Sequence, residues 1–284
     1  MRYLVELAVA AVLFGWMAVA VKEAAKHLPG PEIAFFRFAI GLCTVGLSTL
    51  RRPLRIGSGR GLFLRGLFGG AAVYLFFLGI EHLAVGIATL LNYTAPVFTA
   101  LWALLFLEER LDRSTVLALV LTTLGVSLVI VGQKPAGAPI SSWYFVGILS
   151  AALSGAAVAT IRAIRKTDGS WEIFGAFCIG GALMVLPSTV RHWVAPTAWD
   201  WTMLLAVGLL SAIAQVMMTH ALGFVAAAPA GVLSQLTPVT ALVVGWVLYG
   251  EQLAPLAIAG SALTLLAVSS GAWAARRSAH STSA

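Results

Sequence analysis

Apolar residues run along this chain in blocks of about twenty, the length an α-helix needs to cross a hydrocarbon core of about 30 Å. Short stretches rich in Arg, Gly and Pro separate the blocks. Divided at those interruptions, the sequence predicts ten helices, over residues 3–22, 31–50, 61–81, 84–106, 114–132, 143–163, 171–190, 201–222, 226–248 and 254–275. The clearest connectors are LPGP at 28–31, RRPLRIGSGR at 51–60 and QKPAGAPISS at 133–142, and none can hold a soluble domain. The predicted class is all-α, a polytopic membrane protein. The first block, Leu4 to Ala20, mimics a secretory signal, but the many later spans favour an uncleaved first helix.

Composition agrees with the pattern. The chain is 60% hydrophobic and 10% charged, against about 45–50% and about 25% in soluble domains. That is too little charge to cover a soluble exterior. The net charge of +7 does not point to nucleic acid, because the basic residues flank apolar blocks and form no stripe. The partner they imply is the lipid bilayer. With the N-terminus inside, Arg2, the arginines at 51, 52, 55, 60 and 65, Arg110, Arg113, Arg162, Arg165, Lys166, Arg276 and Arg277 lie on the cytoplasmic side, 13 of the 18 basic residues. Lys22, Lys26, Arg37, Lys134 and Arg191 lie on the other. This bias puts both termini in the cytoplasm, and an Ala/Leu/Gly-rich chain with short loops suits a bacterial inner membrane. Cys43 and Cys178 sit inside apolar blocks without CxxC spacing and read as small buried residues. No metal or cofactor is expected.

The sequence also repeats itself. NYTAPVFTALWALLFLEERL (92–111) and SQLTPVTALVVGWVLYGEQL (234–253), 142 positions apart, share Pro96/Pro238, Val97/Val239, Glu109/Glu251 and Leu111/Leu253. At an offset of 140, PEIAFFRFAIG (31–41) faces WEIFGAFCIG (171–180). Each half holds five predicted helices, an odd number, so the second copy enters the membrane from the opposite side. The expected organisation is a first five-helix repeat at 1–137, an inverted second at 138–275 and a cytoplasmic tail at 276–284. Inverted repeats are a recurring plan of secondary transporters.

LNYTAPVFTALWALLFLEERL, followed by a helix ending LGVSLVIV, resembles the fourth and fifth helices of an EamA-type member of the drug/metabolite transporter superfamily. LFGWMAVAVK at 13–22 is similar to that family's first helix, and Arg37-Phe38 to the Arg-Phe pair of its second. The resemblance covers residues 3–275. Two features depart from it: Phe14-Gly15-Trp16 where Trp-Gly is common, and Glu108-Glu109 where Gly-Glu is common; Gly250-Glu251 keeps the pattern. The resemblance implies a secondary transporter or facilitator of a small metabolite, amino acids being the first guess, working by export or exchange with alternating access.

Polar groups at midspan are costly in hydrocarbon and normally face a bundle interior or wet cavity. The third helix aligns Gly70, Tyr74, Phe77 and Glu81; the fourth aligns Asn92, Pro96 and Thr99, with Tyr93 beside them. The eighth offers Gln215 and Thr219, the ninth Ser234, Gln235 and Pro238, and the first Trp16. Amides donate and accept hydrogen bonds, and aromatic faces hold apolar groups or cations, so this lining suits a zwitterionic or neutral metabolite. The same residue types also simply join membrane helices. Pro96 and Pro238 predict matched kinks. Arg37 is expected to pair with Glu81 in an outer closure, the alternative being a side chain that snorkels to the headgroups. No carboxylate is predicted at the midplane, which argues against a proton-coupled exporter of cationic drugs. No GxxxxGK[ST], HExxH or GxSxG occurs, so neither ATP hydrolysis nor intramembrane catalysis is expected. A non-transporting scaffold or receptor is the competing class, and monomer and homodimer both remain open.

Overall fold

The computed structural model describes residues 2–50, 52–82, 91–109, 111–132, 142–249 and 254–281, without the side chains of Ile80, Glu81, Val129, Ile130, Tyr249 and residues 271–281. Every regular element among these residues is an α-helix: α1 (Arg2–Ala24), α2 (Gly30–Thr49), α3 (Gly59–His82), α4 (Ala95–Phe106), α5 (Arg113–Gly132), α6 (Trp143–Ile164), α7 (Ser170–Arg191), α8 (Ala198–Ala221), α9 (Ala227–Ser234), α10 (Leu236–Tyr249) and α11 (Pro255–Ser281). Local chemistry sets several starts. Pro31 lies in the first turn of α2, where its missing N–H costs nothing. Thr197 and Asp200 close a reciprocal capping box on α8.

Seven helical segments among the described residues are long and apolar enough to cross a membrane, Ala227–Leu248 being one, and Ala95–Phe106, Arg113–Leu128 and Pro255–Ser270 are shorter apolar helices. The protein is a multi-pass membrane protein. One buried cluster gathers the first two turns of α1 (Leu7), α3 (Leu62), α5 (Ala118, Leu119) and α7 (Ile173) with the last turns of α6 (Ile161, Ile164), the end of α8 (Leu222 just beyond it) and the middle of α11 (Val268). Neighbouring spans therefore alternate in direction, and the first residues of α1 lie at the same end of the bundle as the later turns of α11.

The second helix of each half shows how the halves relate. Thr189, late in α7, donates its hydroxyl to the Pro31 carbonyl at the start of α2 (3.1 Å), and Glu32 accepts the N–H of Val194 (3.0 Å). At the opposite end Glu172, at the start of α7, accepts the N–H of Arg55, beyond α2 (3.0 Å). α2 and α7 are antiparallel, and the Glu-Ile motif does the same work in both halves. The packing partners exchange in the same way: α1 packs on α8 as α3 packs on α6, α2 on α8 as α3 on α7, and α4 on α6 as α10 on α1.

The structure departs from the predicted helices in two places. The span expected over 226–248 is interrupted at Gln235, between α9 and α10, and the helix at Leu91–Asn92 gives way to a turn at Tyr93–Thr94 before α4; residues 84–90 of the expected 84–106 lie outside those described. Each interruption stands just ahead of a proline, Pro96 or Pro238, which lacks the N–H for the carbonyl four residues back and collides with it. The last helix continues to Ser281 instead of stopping at 275, since the sequence there holds no Gly or Pro to end it.

Candidate functional site

The centre of the bundle is built on a close crossing of α3 and α7. A Cβ at Gly70 would stand 2.7 Å from the Gly180 carbonyl oxygen, so only backbone-to-backbone contact fits there. The crossing sets Arg65 of α3 over Phe177 of α7, its Cζ 4.1 Å from the ring centroid. Gly69 leaves the room: a Cβ there would collide with Arg65 Nη1 and stand 2.6 Å from the Phe177 ring. Arg65 is 3% exposed, and its buried Nε has no hydrogen-bond partner.

Arg37 approaches the same ring from α2, with its Cζ 5.8 Å from the centroid, and its Nε donates to Ser211 Oγ of α8 at 2.6 Å. It turns into the bundle and does not snorkel outward. The side chain of Glu81, its expected partner, lies outside those described. Gln215 and Thr219 follow Ser211 by one and two turns on the same face of α8. Both are buried, and Gln215 Nε2 and Thr219 Oγ1 lack partners. Tyr74 and Phe77 belong to the aromatic cluster around Phe38, Phe174 and Phe177, so they stand with the arginines.

A second polar group joins the two helix interruptions. Gln235 is wholly buried; its Nε2 donates to the Tyr93 carbonyl at 3.0 Å, and its Oε1 is unpaired. Beside it Asn92 Nδ2 donates to Ser150 Oγ (3.3 Å), which donates to the Ala72 carbonyl (2.8 Å). Pro96 packs under Gly231, where a Cβ would stand 3.2 Å from its ring. Thr99 and Ser234 spend their hydroxyls on Ala95 and Gly231 of their own helices. Pro238 is buried early in α10. Trp16, 44% exposed, stands apart from both groups. Among the described residues no three His, Cys, Asp or Glu side chains gather as metal ligands would.

At the end of the bundle where α1 starts, Arg162 Nε donates to Glu109 Oε1 (3.0 Å), and its Nη1 to the carbonyls of Leu222 and Gly223 (3.1 and 3.0 Å). The other oxygen of Glu109 accepts the N–H of Ala227, the first residue of α9 (2.9 Å). This clamp ties α6, the loop after α8 and the start of the interrupted span together. Glu251, the repeat counterpart of Glu109, lies outside the described residues.

Sequence reasoning names the amides and aromatics that the structure places toward the bundle centre, and does not name Arg65, Phe177, Ser211 or the Arg162–Glu109 clamp. The charge bias places Arg65 on the cytoplasmic flank with the loop arginines, whereas the structure buries it over Phe177. The available signal was its place inside GLFLRGLFGG, an apolar run whose glycines make room for a large buried side chain.

A family model described as the EamA-like transporter family matches the chain twice, at residues 2–131 and 141–270. The pseudopaline exporter CntI of Pseudomonas aeruginosa is 33% identical over 264 residues, covering 91% of each chain. The uncharacterized transporter YdfC of Bacillus subtilis is 26% identical, covering 83% of this chain and 79% of its own. Human solute carrier family 35 member G1 is 25% identical, over 82% of this chain and 68% of its own. A solved crystal structure superposes with a TM-score of 0.81 at 21% identity, covering 97% of this chain and 98% of the other, a likeness of fold.

Proposed function

The chain belongs to the EamA-like transporter family, and from that premise we propose that it is a secondary transporter moving a small metabolite of amino-acid type by alternating access. The observation that carries this reading is the meeting of two interrupted spans, Gln235 of one bonded to Tyr93 of the other, with unpaired polar atoms on Gln235, Gln215 and Thr219 around the bundle centre. Interrupted helices from two inverted halves are where secondary transporters bind their solutes, and buried polar atoms without partners suit a ligand or water. In this reading the chain spans the membrane ten times as two inverted five-helix halves, with both termini in the cytoplasm. Its resemblance to a relative named an exporter favours outward movement.

Tyr74, Phe77, Asn92, Tyr93, Gln215, Thr219 and Gln235 line the path, Pro96 and Pro238 let the interrupted spans bend, and Arg162–Glu109 holds the end of the bundle nearest the N-terminus shut. Uptake into sealed liposomes tests the reading. Saturable flux reduced by Asn92→Ala or Gln215→Ala is the expected result; no flux across amino acids, amines, organic acids and sugars favours a scaffold and overturns it.

A further inference from the structure

Arg37 and Arg65 put two guanidinium groups on one phenylalanine ring inside a membrane bundle. Their Cζ atoms are 5.8 and 4.1 Å from the same centroid, so they lie no more than 9.9 Å apart, the sum of those distances. An ion carried into low dielectric costs several kcal/mol unless it is paired. Arg37 has only the Ser211 hydroxyl, a neutral partner, and Arg65 makes no hydrogen bond or ion pair among the described residues.

No described carboxylate pairs with either arginine: Glu6 bonds His220, Glu109 bonds Arg162, Asp168 accepts the Gly57 and Ser58 N–H groups, Asp200 bonds His27 and Thr197, and Glu32 and Glu172 accept the N–H groups of Val194 and Arg55 at the bundle ends. Glu81 follows Arg65 by 16 residues on α3, about 24 Å along the axis, and cannot reach it. Lipid headgroups are screened from it, because Arg65 is 3% exposed and held over Phe177.

We infer that the solute carries an anionic oxygen group, carboxylate or phosphate, bound between the guanidinium groups of Arg37 and Arg65 over the Phe177 ring. The inference rests on the transport reading for what the site is for, and on geometry for what it binds. Guanidinium presents a planar fork of N–H donors that matches a carboxylate or phosphate edge, which an ammonium does not. The cation–π contact with Phe177 holds the Arg65 fork, and its Nε has no hydrogen-bond partner. Ser211 steadies Arg37, and Gln215, one turn on, offers an amide for the rest of the solute.

The test is binding to the purified full-length protein, by thermal shift and calorimetry, with four probes: succinate, its neutral diamide, glycerol 3-phosphate and glycerol. An acid probe should bind at least tenfold more tightly than its neutral partner. Whichever of succinate and glycerol 3-phosphate wins identifies carboxylate or phosphate. Arg65→Gln and Arg37→Gln should each lose at least tenfold, and Arg65→Lys, which keeps the charge without the fork, should recover only part. If Arg65→Gln does not fold, Gly69→Ala crowds the same guanidinium and should weaken the acid without abolishing the fold. Equal affinity for acid and neutral partner, or undiminished acid binding in the folded arginine variants, overturns the inference. Acid binding without flux would sink the transport reading alone; flux of neutral solutes only would sink the anion site alone.

Discussion

Arg37 and Phe177 occupy the same place in the two halves, 140 residues apart in the alignment that pairs Glu32 with Glu172, and they meet at the centre of the molecule. One is a cation and the other the ring beneath it. Elsewhere the halves repeat their contacts: Glu32 holds the loop after α7 as Glu172 holds the loop after α2, and the two interruptions stand at Tyr93 and Gln235, 142 residues apart. The scaffold thus keeps its symmetry and the chemistry gives it up. Under the proposed transport reading, symmetric contacts would let the bundle adopt two related arrangements, and a one-sided cationic centre would hold a polar solute in one orientation.

The comparison breaks most severely at the ring. Phe177→Ala empties a site that is 4% exposed and should cost about 3–5 kcal/mol of stability, read as a lower Tm in detergent, together with loss of acid binding. Phe177→Leu keeps most of the volume and loses the cation–π contact, so its cost should be smaller, about 0.5–2 kcal/mol, and fall mainly on binding.

The clamp comes next. Glu109→Gln removes the charge facing Arg162, whose side chain is 24% exposed against 15% for Glu109. Breaking a fully buried pair costs about 3–5 kcal/mol; solvent screening reduces this to about 1–3 kcal/mol here. The variant should increase thiol labelling of a cysteine placed at Met218, at the same end. Glu251→Gln, at the counterpart position of the second repeat, should leave that labelling unchanged; equal effects would mean the two glutamates do not serve separate ends.

The smallest effect is at a helix start. Asp112 accepts from Ser114 and from the Thr115 N–H ahead of α5, whereas 142 residues later Ala254 precedes Pro255. Asp112→Ala makes the first half like the second and should cost about 1 kcal/mol or less. The Ser114 and Thr115 side chains hold the Asp112 carboxyl below the usual range. Its contribution is therefore complete above the unfolded value of about 3.9 and is lost as acid takes the pH down through the lower folded value. Wild type and variant should converge in stability under strong acid.

The sequence exposed the scaffold through block length and through the repeated Glu-Ile and Pro motifs, because these set element length and backbone geometry locally. It was less informative where a side chain's role depends on a distant neighbour. Arg65 stands six residues into α3; the glycines beside it signal room for a buried side chain, but the ring it lies over, Phe177, is on α7 and out of reach of any local pattern. Ser211 lay unnoticed beside Gln215 until Arg37 reached it from α2. The prolines indicated the bends at Tyr93 and Gln235, but not that the two bends meet through the Gln235 amide.

Counterflow measures the central claim most directly. Liposomes holding the purified protein are loaded with an excess of the unlabelled acid that binds best, and uptake of labelled acid is followed from a dilute outer solution. One site opened to each side in turn predicts a transient accumulation of label above equilibrium, abolished by Arg65→Gln. Label that only equilibrates, at a rate indifferent to the solute inside, would contradict a single alternating site.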